Sequence, residues 1–284
     1  MKIALAQISP HLGNIQKNFD LHLQAADKAK REKANQLIFP ELSLTGYLLQ
    51  DLVETAALDP DKSSLFKEFK SLSRDLSLVL GFVEEKSQDK GLFFNSAAFL
   101  DKGKILHIHR KVFLPTSGMF DEARFFAQGR NFRTFPTPYG KIGILICRDF
   151  QHYAASYLLF TGGSEIIIVV SAAPGRDLAG KNGFATSRMW ELMGEAISRF
   201  SSAFVIYCNR VGSEDGIVFA GGSFVFNPFG KRLAQAPYLK RDFLTQEVNP
   251  AEIRRARKNW PFKRDDKPEV ILEALKRIVH DYDD

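Results

Sequence analysis

Ile142-Gly143-Ile144-Leu145-Ile146-Cys147-Arg148-Asp149-Phe150 is the stretch on which the reading of this 284-residue chain turns. Its apolar, largely β-branched run reads as a buried strand, and it breaks at once into two charges after Cys147. A helix is expected from His152 to Phe160, and a second buried strand from Glu165 to Ser171. The same alternation extends in both directions. Toward the N-terminus lie a strand at Ile3 to Ala6 and a helical pattern in which Ile15, Phe19, Leu23 and Ala26 step by three and four. Leu37-Ile38-Phe39 is a strand stopped by Pro40, Ser63 to Leu76 is amphipathic, and Leu78 to Phe82 is another strand. Ser96 to Leu100 and Ile105 to His109 flank Asp101-Lys102-Gly103-Lys104, a hairpin turn. Downstream come a helix at Ser187 to Phe200 and a strand at Ala203 to Cys208. A second hairpin joins Ser223 to Phe226 with Leu233 to Gln235 around Asn227-Pro228-Phe229-Gly230. Alternation of this kind predicts an α/β protein with helices covering the outer faces of sheets.

Composition narrows the class. With 45% apolar, 12% aromatic and 25% charged residues the chain is of globular type, neither disordered nor collagen-like. A chain this long buries about 75% of its unfolded surface and needs no disulfide or metal staple. The 25 phenylalanines against 7 tyrosines and 2 tryptophans call for a broad core or an apolar interface, and an oligomer is expected. The net charge is +6, but the charges are interspersed. The tightest cluster, Arg254-Arg255-Ala256-Arg257-Lys258, reads as a solvated helix end rather than a nucleic-acid surface. Two cysteines, Cys147 and Cys208, make no disulfide framework. The N-terminus becomes polar by Gln7, too early for a signal peptide, and no apolar run reaches membrane-spanning length. A soluble, cytoplasmic protein without membrane contact is expected. No repeat or composition break divides the chain, so a single domain over 1–284 is expected, with a charged helical tail from about 250. Within the tail Trp260, Pro261 and Phe262 read as an apolar plug for a neighbouring surface.

Several familiar chemistries are absent from the sequence. There is no GxGxxG, no GxxxxGK[ST] and no GxSxG; Gly221-Gly222-Ser223-Phe224-Val225 lacks the second glycine. No histidine pair has HExxH spacing, and His107 and His109 read as surface histidines on a hairpin arm. Cys147 stands between a strand and a helix, at the sheet edge where α/β sites form, and a helix N-terminus there would lower a thiol pKa. From position alone a buried structural cysteine is the plainer reading. Cys208, among apolar strand neighbours, reads as structural. Glu41 follows Leu37-Ile38-Phe39-Pro40, and Lys111 follows Ile105-Leu106-His107-Ile108-His109-Arg110. Each alone reads as a loop charge. Together with Cys147 they supply a base, a partly buried cation and a nucleophile at three strand ends.

These blocks resemble the nitrilase superfamily of carbon–nitrogen hydrolases from about Met1 to Val248. The glutamate block is similar to Phe39-Pro40-Glu41-Leu42-Ser43-Leu44-Thr45-Gly46-Tyr47. The lysine block is similar to Arg110-Lys111-Val112-Phe113-Leu114-Pro115, continuing through Gly118, Phe120, Glu122, Phe125-Phe126 and Gly129. The cysteine block is similar to Gly143-Ile144-Leu145-Ile146-Cys147-Arg148-Asp149, and Asn209-Arg210-Val211-Gly212 and Phe219-Ala220-Gly221-Gly222-Ser223 also match. The resemblance implies a four-layer α-β-β-α sandwich whose dimers pack helix layer to helix layer. It implies catalysis by Cys147 as nucleophile and Glu41 as base, with Lys111 and the backbone N–H of Arg148 holding an oxyanion. Glu122 would orient substrate or triad, and loops near Tyr47, Thr116 to Met119 and Ala172 to Arg176 would line the pocket. No metal or organic cofactor is called for, because the triad supplies every proton and charge. The implied activity is hydrolysis of a linear, non-peptide amide.

The branch most resembled is the glutaminase portion of glutamine-dependent NAD synthetases, through Thr45-Gly46-Tyr47, Gln50-Asp51-Leu52 and Val218-Phe219-Ala220-Gly221-Gly222-Ser223. Two departures stand out. The sequence has no SGGxDS-type ATP-binding loop, so the synthetase half is expected to be missing. Arg148 occupies a place usually held by an acid, and either alters substrate selection or pairs with a surface acid.

Overall fold

Residues 1–177 and 183–282 are described by the computed structural model. Asp283 and Asp284, the end of the expected unit, lie outside the described residues. The chain begins with β1 (Lys2–Gln7), α1 (Ile15–Arg31) and β2 (Gln36–Ile38). A single 3₁₀ turn leads into α2 (Val53–Ala56) and α3 (Ser64–Leu72), then β3 (Ser77–Glu84), β4 (Phe94–Asp101), β5 (Lys104–Arg110) and α4 (Glu122–Phe125). There follow β6 (Thr134–Thr137), β7 (Gly140–Ile146), α5 (Arg148–Gln151), α6 (Tyr153–Thr161), β8 (Ile166–Ser171), α7 (Ala185–Phe200) and β9 (Phe204–Asn209). A ribbon of β10 (Val211–Glu214) and β11 (Ile217–Ala220) precedes β12 (Phe224–Phe226), β13 (Arg232–Gln235) and β14 (Asp242–Glu247). Helices α8 (Ala251–Asn259), α9 (Phe262–Asp265) and α10 (Pro268–Tyr282) complete the described chain.

Two six-stranded sheets form, ordered β14-β1-β2-β3-β4-β5 and β13-β12-β9-β8-β7-β6. Each has three parallel strands at its centre, β1-β2-β3 and β7-β8-β9, with antiparallel strands on either side. The strand alternation places the layers. Ile3 and Leu5 of β1 join Ile144, Val169 and Val205 in the core that includes the space between the sheets. Ala4 and Ala6 turn the other way and pack with Phe19 and Ala26 of α1 and Phe66 and Phe69 of α3. On the far side Leu159 of α6 and Trp190 of α7 cover the second sheet, Trp190 stacking on Tyr207 at 5.4 Å. The result is the α-β-β-α sandwich that the family resemblance implies. Much of the phenylalanine content goes into these layers, including Phe39, Phe82, Phe99, Phe204 and Phe224.

Local details follow the sequence. The expected hairpin turn holds Lys102 and Gly103 at φ 48° and 77°, the left-handed pair that matches strand twist. The helix expected at His152 to Phe160 forms as α6, and His152, which is extended, separates it from the short α5 that the sequence did not announce. The apolar plug packs as expected: Phe262 lies 5.4 Å from Phe200 of α7, and Trp260 stacks on Phe262. Beyond it the described side chains of α10 are exposed, Leu272, Leu275 and Val279 among them. Among the described residues no helix is long and apolar enough to cross a membrane.

Candidate active site

β5 runs antiparallel to β4, which runs antiparallel to β3. The carboxyl ends of β2, β3 and β5 therefore lie on one edge of the first sheet, and those of β7 and β8 share an edge of the second. Glu41 leaves the end of β2, Lys111 directly follows β5, and Cys147 directly follows β7. The Glu41 segment crosses hard against β3: a Cβ on Gly81 would stand 2.3 Å from the Leu42 nitrogen and 2.7 Å from the Pro40 carbonyl. Glycine is needed there because the backbones touch. Cys147 has φ 43°, an unfavourable conformation for a residue with a Cβ, and so marks a sharp strand-to-helix turn.

Lys111 is the centre of a buried polar cluster. Its Nζ donates to Glu41 Oε1 at 2.7 Å and to Glu122 Oε1 at 2.6 Å. Glu41 Oε1 also accepts from Asn95 Nδ2 at 2.7 Å, and Oε2 accepts from the Ala172 N–H at 2.8 Å. Tyr47 donates its hydroxyl proton to Glu122. Glu214 in turn accepts from the N–H groups of Tyr47 and Leu48, both at 3.0 Å, and pairs with the buried guanidinium of Arg210. Glu41 and Lys111 are fully buried, so the expectation of a partly buried cation is corrected to a wholly buried one.

Burial and charge act against each other here. Burial alone would lower the Lys111 ammonium, but the charges of Glu122 and Glu41 raise it above the ordinary lysine value. Burial pushes the Glu122 carboxyl up to about 7; Lys111 opposes this and Glu41 adds to it. Two carboxylates sharing one ammonium cannot both be cheaply ionised. Burial likewise pushes the Cys147 thiol up to about 12, helped by the Glu41 charge and opposed by Lys111. This corrects the expectation of a thiol lowered by a helix N-terminus. The helix that follows has four residues, and desolvation outweighs its dipole. Cys208 behaves as expected of a structural thiol: it is buried, its Sγ faces the Ile38 carbonyl at 3.4 Å, and burial raises it.

Asp149, next to Cys147 but one, ties the lysine and cysteine segments together. Its Oδ1 accepts from the N–H groups of Val112 and Phe113 at 3.0 and 2.9 Å, and its Oδ2 from the Ile146 N–H at 3.2 Å. His109 Nε2 lies 2.8 Å from the same Oδ2. His109 is thus buried rather than on the surface, and His107 is half-buried, stacked on Phe135 at 4.6 Å. Burial lowers His107 to about 4. Among the described residues no cluster of metal-ligating side chains forms. Arg148 is exposed and donates to Gln151 Oε1 at 2.7 Å; among the described residues it pairs with no acid. A cavity of about 130 Å³ opens over Cys147, with Trp190 and Ala173 on its buried wall and Arg148, Arg176 and Met189 at its exposed rim. Tyr47 and Glu122 line a neighbouring cavity of about 200 Å³. Asn95, Asp149 and His109 were not legible as site residues, whereas Arg176 lines the cavity as expected of the Ala172 to Arg176 loop. Asn95 carried a faint signal, a carboxamide beside the apolar run Ala97 to Leu100 of β4.

The sequence model of the family described as "Carbon-nitrogen hydrolase" matches residues 2–258. The chain belongs to the carbon-nitrogen hydrolase family. Among curated relatives it is 33% identical to the glutamine-dependent NAD(+) synthetase of Acinetobacter baylyi, over 99% of this chain and 50% of that protein. The chain spans about half the length of this synthetase. Among solved structures the carbon-nitrogen hydrolase of Helicobacter pylori is 25% identical with a TM-score of 0.82, covering 98% of this chain and 99% of that one. A glutamine-dependent NAD+ synthetase from Acinetobacter baumannii, 31% identical, superposes with a TM-score of 0.75 over 86% of this chain and 44% of its own. The chain is thus similar over nearly all of its length both to a whole carbon-nitrogen hydrolase chain and to half of a glutamine-dependent synthetase.

Proposed function

We propose that this carbon-nitrogen hydrolase is a thiol amidohydrolase that cleaves a linear, non-peptide carboxamide and releases ammonia or an amine. The observation that carries the reading is the convergence of Glu41, Lys111 and Cys147 from three strand ends, at one buried cluster beside a small cavity. Cys147 Sγ attacks the amide carbon while Glu41 takes the thiol proton and delivers it to the leaving nitrogen. Lys111, aided by the Arg148 N–H, holds the negative oxygen of the tetrahedral intermediate. The C–N bond breaks to leave a thioester on Cys147. Glu41 then takes a proton from water, whose oxygen attacks the thioester carbon, and the acid leaves as the thiol regains its proton. Glu122 and Tyr47 fix the position of Lys111 from behind. The chemistry is complete without a metal or an organic cofactor.

The exposed apolar side chains on α6 and α7, Tyr153, Leu158, Leu192 and Phe200, support a homodimer joined through this helix layer. Similarity to half of a glutamine-dependent synthetase supports a second reading, a glutaminase subunit feeding ammonia to a separate ATP-dependent enzyme. Ammonia release over a panel of ω-amides, carbamoyl amines and short amides tests the first reading, with Cys147→Ala as control. Turnover that survives Cys147→Ala would overturn it. A rise in glutamine hydrolysis on adding a candidate ATP-dependent partner would favour the second. A catalytically idle binding module is the outcome if no amide is hydrolysed.

A further inference from the structure

The cavity over Cys147 has two chemically distinct zones. Its inner wall is apolar, closed by Trp190 and Ala173, whereas its rim carries the guanidinium-bearing residues Arg148 and Arg176. Among the described residues no carboxylate lines the cavity. Among the described residues neither guanidinium takes part in an ion pair, although Asp177 directly follows Arg176. Arg148 is held through its guanidinium and Arg176 through its backbone. Arg148 donates to Gln151, and the Arg176 N–H donates to Thr186 Oγ1 at 3.0 Å. The Arg176 head group reaches across to the opposite loop, where a Cβ on Gly118 would stand 3.4 Å from its Nη1.

Two like charges over one small apolar cavity repel each other and await an anion. Guanidinium groups match carboxylates in planar, two-pronged hydrogen bonds, and partial exclusion of water strengthens such pairs. Cys147 and both arginines line the same cavity of about 130 Å³, which has room for one short molecule with its amide carbon at Cys147 and a carboxylate at the rim. Building on the amidohydrolase reading, we propose that Arg148 and Arg176 form a carboxylate-binding rim, and that the amide hydrolysed is the monoamide of a short dicarboxylic acid. Asp177 follows Arg176 but does not line the cavity, so an α-ammonium group beside that carboxylate would face two guanidiniums, and glutamine is the poorer substrate. The arginine in the place of the usual acid thus selects the substrate.

The test compares kcat/KM for the monoamide of butanedioic acid with that for butanediamide, which has the same length and no charge. The acid amide is expected to lead by at least about tenfold, the worth of one charge-assisted hydrogen bond, and the lead should shrink with added salt. The ratio should collapse toward one in Arg148→Gln/Arg176→Gln. Equal use of both amides, or a lead that the double variant retains, would overturn the proposal while leaving the amidohydrolase reading intact. Should no amide be turned over, that reading fails and the rim is still decided by alkylation of Cys147. Mass spectrometry gives the rate ratio of anionic iodoacetate to neutral iodoacetamide; the proposal requires it to fall in the double variant, and an unchanged ratio refutes it.

Discussion

Replacing Lys111 with methionine keeps most of the stem and removes a charge that two carboxylates share. The ammonium lies 2.7 Å from Glu41 and 2.6 Å from Glu122 and is fully buried. At ~4 Å and an effective dielectric of ~20 a unit charge pair is worth about 4 kcal/mol. Stripping one partner from a buried pair costs about 3–5 kcal/mol. The cost is softened because a carboxyl can take up a proton. Glu122 already stands at about 7, against an ordinary 4.5, and losing the opposing Lys111 moves it higher. A carboxyl raised in the folded state contributes stability that is fully present below its unfolded value and is lost as pH rises through its folded value. Lys111→Met is therefore expected to melt below the parent by roughly 6–20 °C at about pH 8, at ~2–4 °C per kcal/mol for a chain of this size. The gap should narrow toward about pH 5, where Glu122 is protonated. Adding Glu122→Gln removes one of the two like charges, so it should restore much of the stability at high pH without restoring turnover. Activity should fall by about 10²–10³-fold, as for a lost oxyanion donor. Circular dichroism melts across pH, run beside steady-state ammonia release, read both effects. A Lys111→Met protein that melts with the parent at every pH would refute the shared-cation account.

Glu41→Gln keeps shape but cannot accept the thiol proton, so acylation should drop by roughly 10²–10⁴-fold, measured as the rate of thioester formation. Because the cluster acts as a unit, Glu41→Gln/Lys111→Met should be little worse in kcat/KM than the worse single variant. Iodoacetamide inactivation should track modification of Cys147 alone by mass spectrometry, since Cys208 is sealed in β9; loss of activity with only Cys208 modified would sink the assignment. Light scattering at micromolar protein should report a dimer, because an interface of more than about 2,000 Å² holds at that concentration. A monomer would leave the exposed face of α6 and α7 unexplained.

How much of this was legible differs by residue. The strands and the three blocks could be read because each apolar run ends abruptly in a charge, at Glu41, Lys111 and Cys147-Arg148, and such endings are local. The layers followed from alternation, as Ile3 and Leu5 against Ala4 and Ala6 illustrate. What could not be read depends on distant partners. Asn95 meets Glu41 across 54 residues, and Asp149 meets His109 across 40. Nothing beside either residue announces the other. Two histidines spaced for one face of a strand suggested solvent, but the second sheet covers that face, and Asp149 reaches out of the cysteine loop to take His109. The direction of the Cys147 shift was misjudged for the same reason. A helix N-terminus is visible in sequence, whereas desolvation is a property of everything packed around the thiol.

That correction reshapes the chemistry of the proposed reaction. A thiol pushed this far up by burial is protonated at neutral pH. A preformed thiolate waiting for substrate is therefore the wrong picture for this site. The proton has to leave as the carbon–sulfur bond forms, which requires a base already in place. Glu41 is fixed there by the Asn95 amide, the Ala172 N–H and Lys111. The same Lys111 charge that opposes the rise of the thiol also faces the oxygen that becomes negative, so its effect grows as charge moves from sulfur to oxygen. Burial thus keeps the thiol protonated in the free site, and in the proposed reaction its proton passes to Glu41 as the carbon–sulfur bond forms.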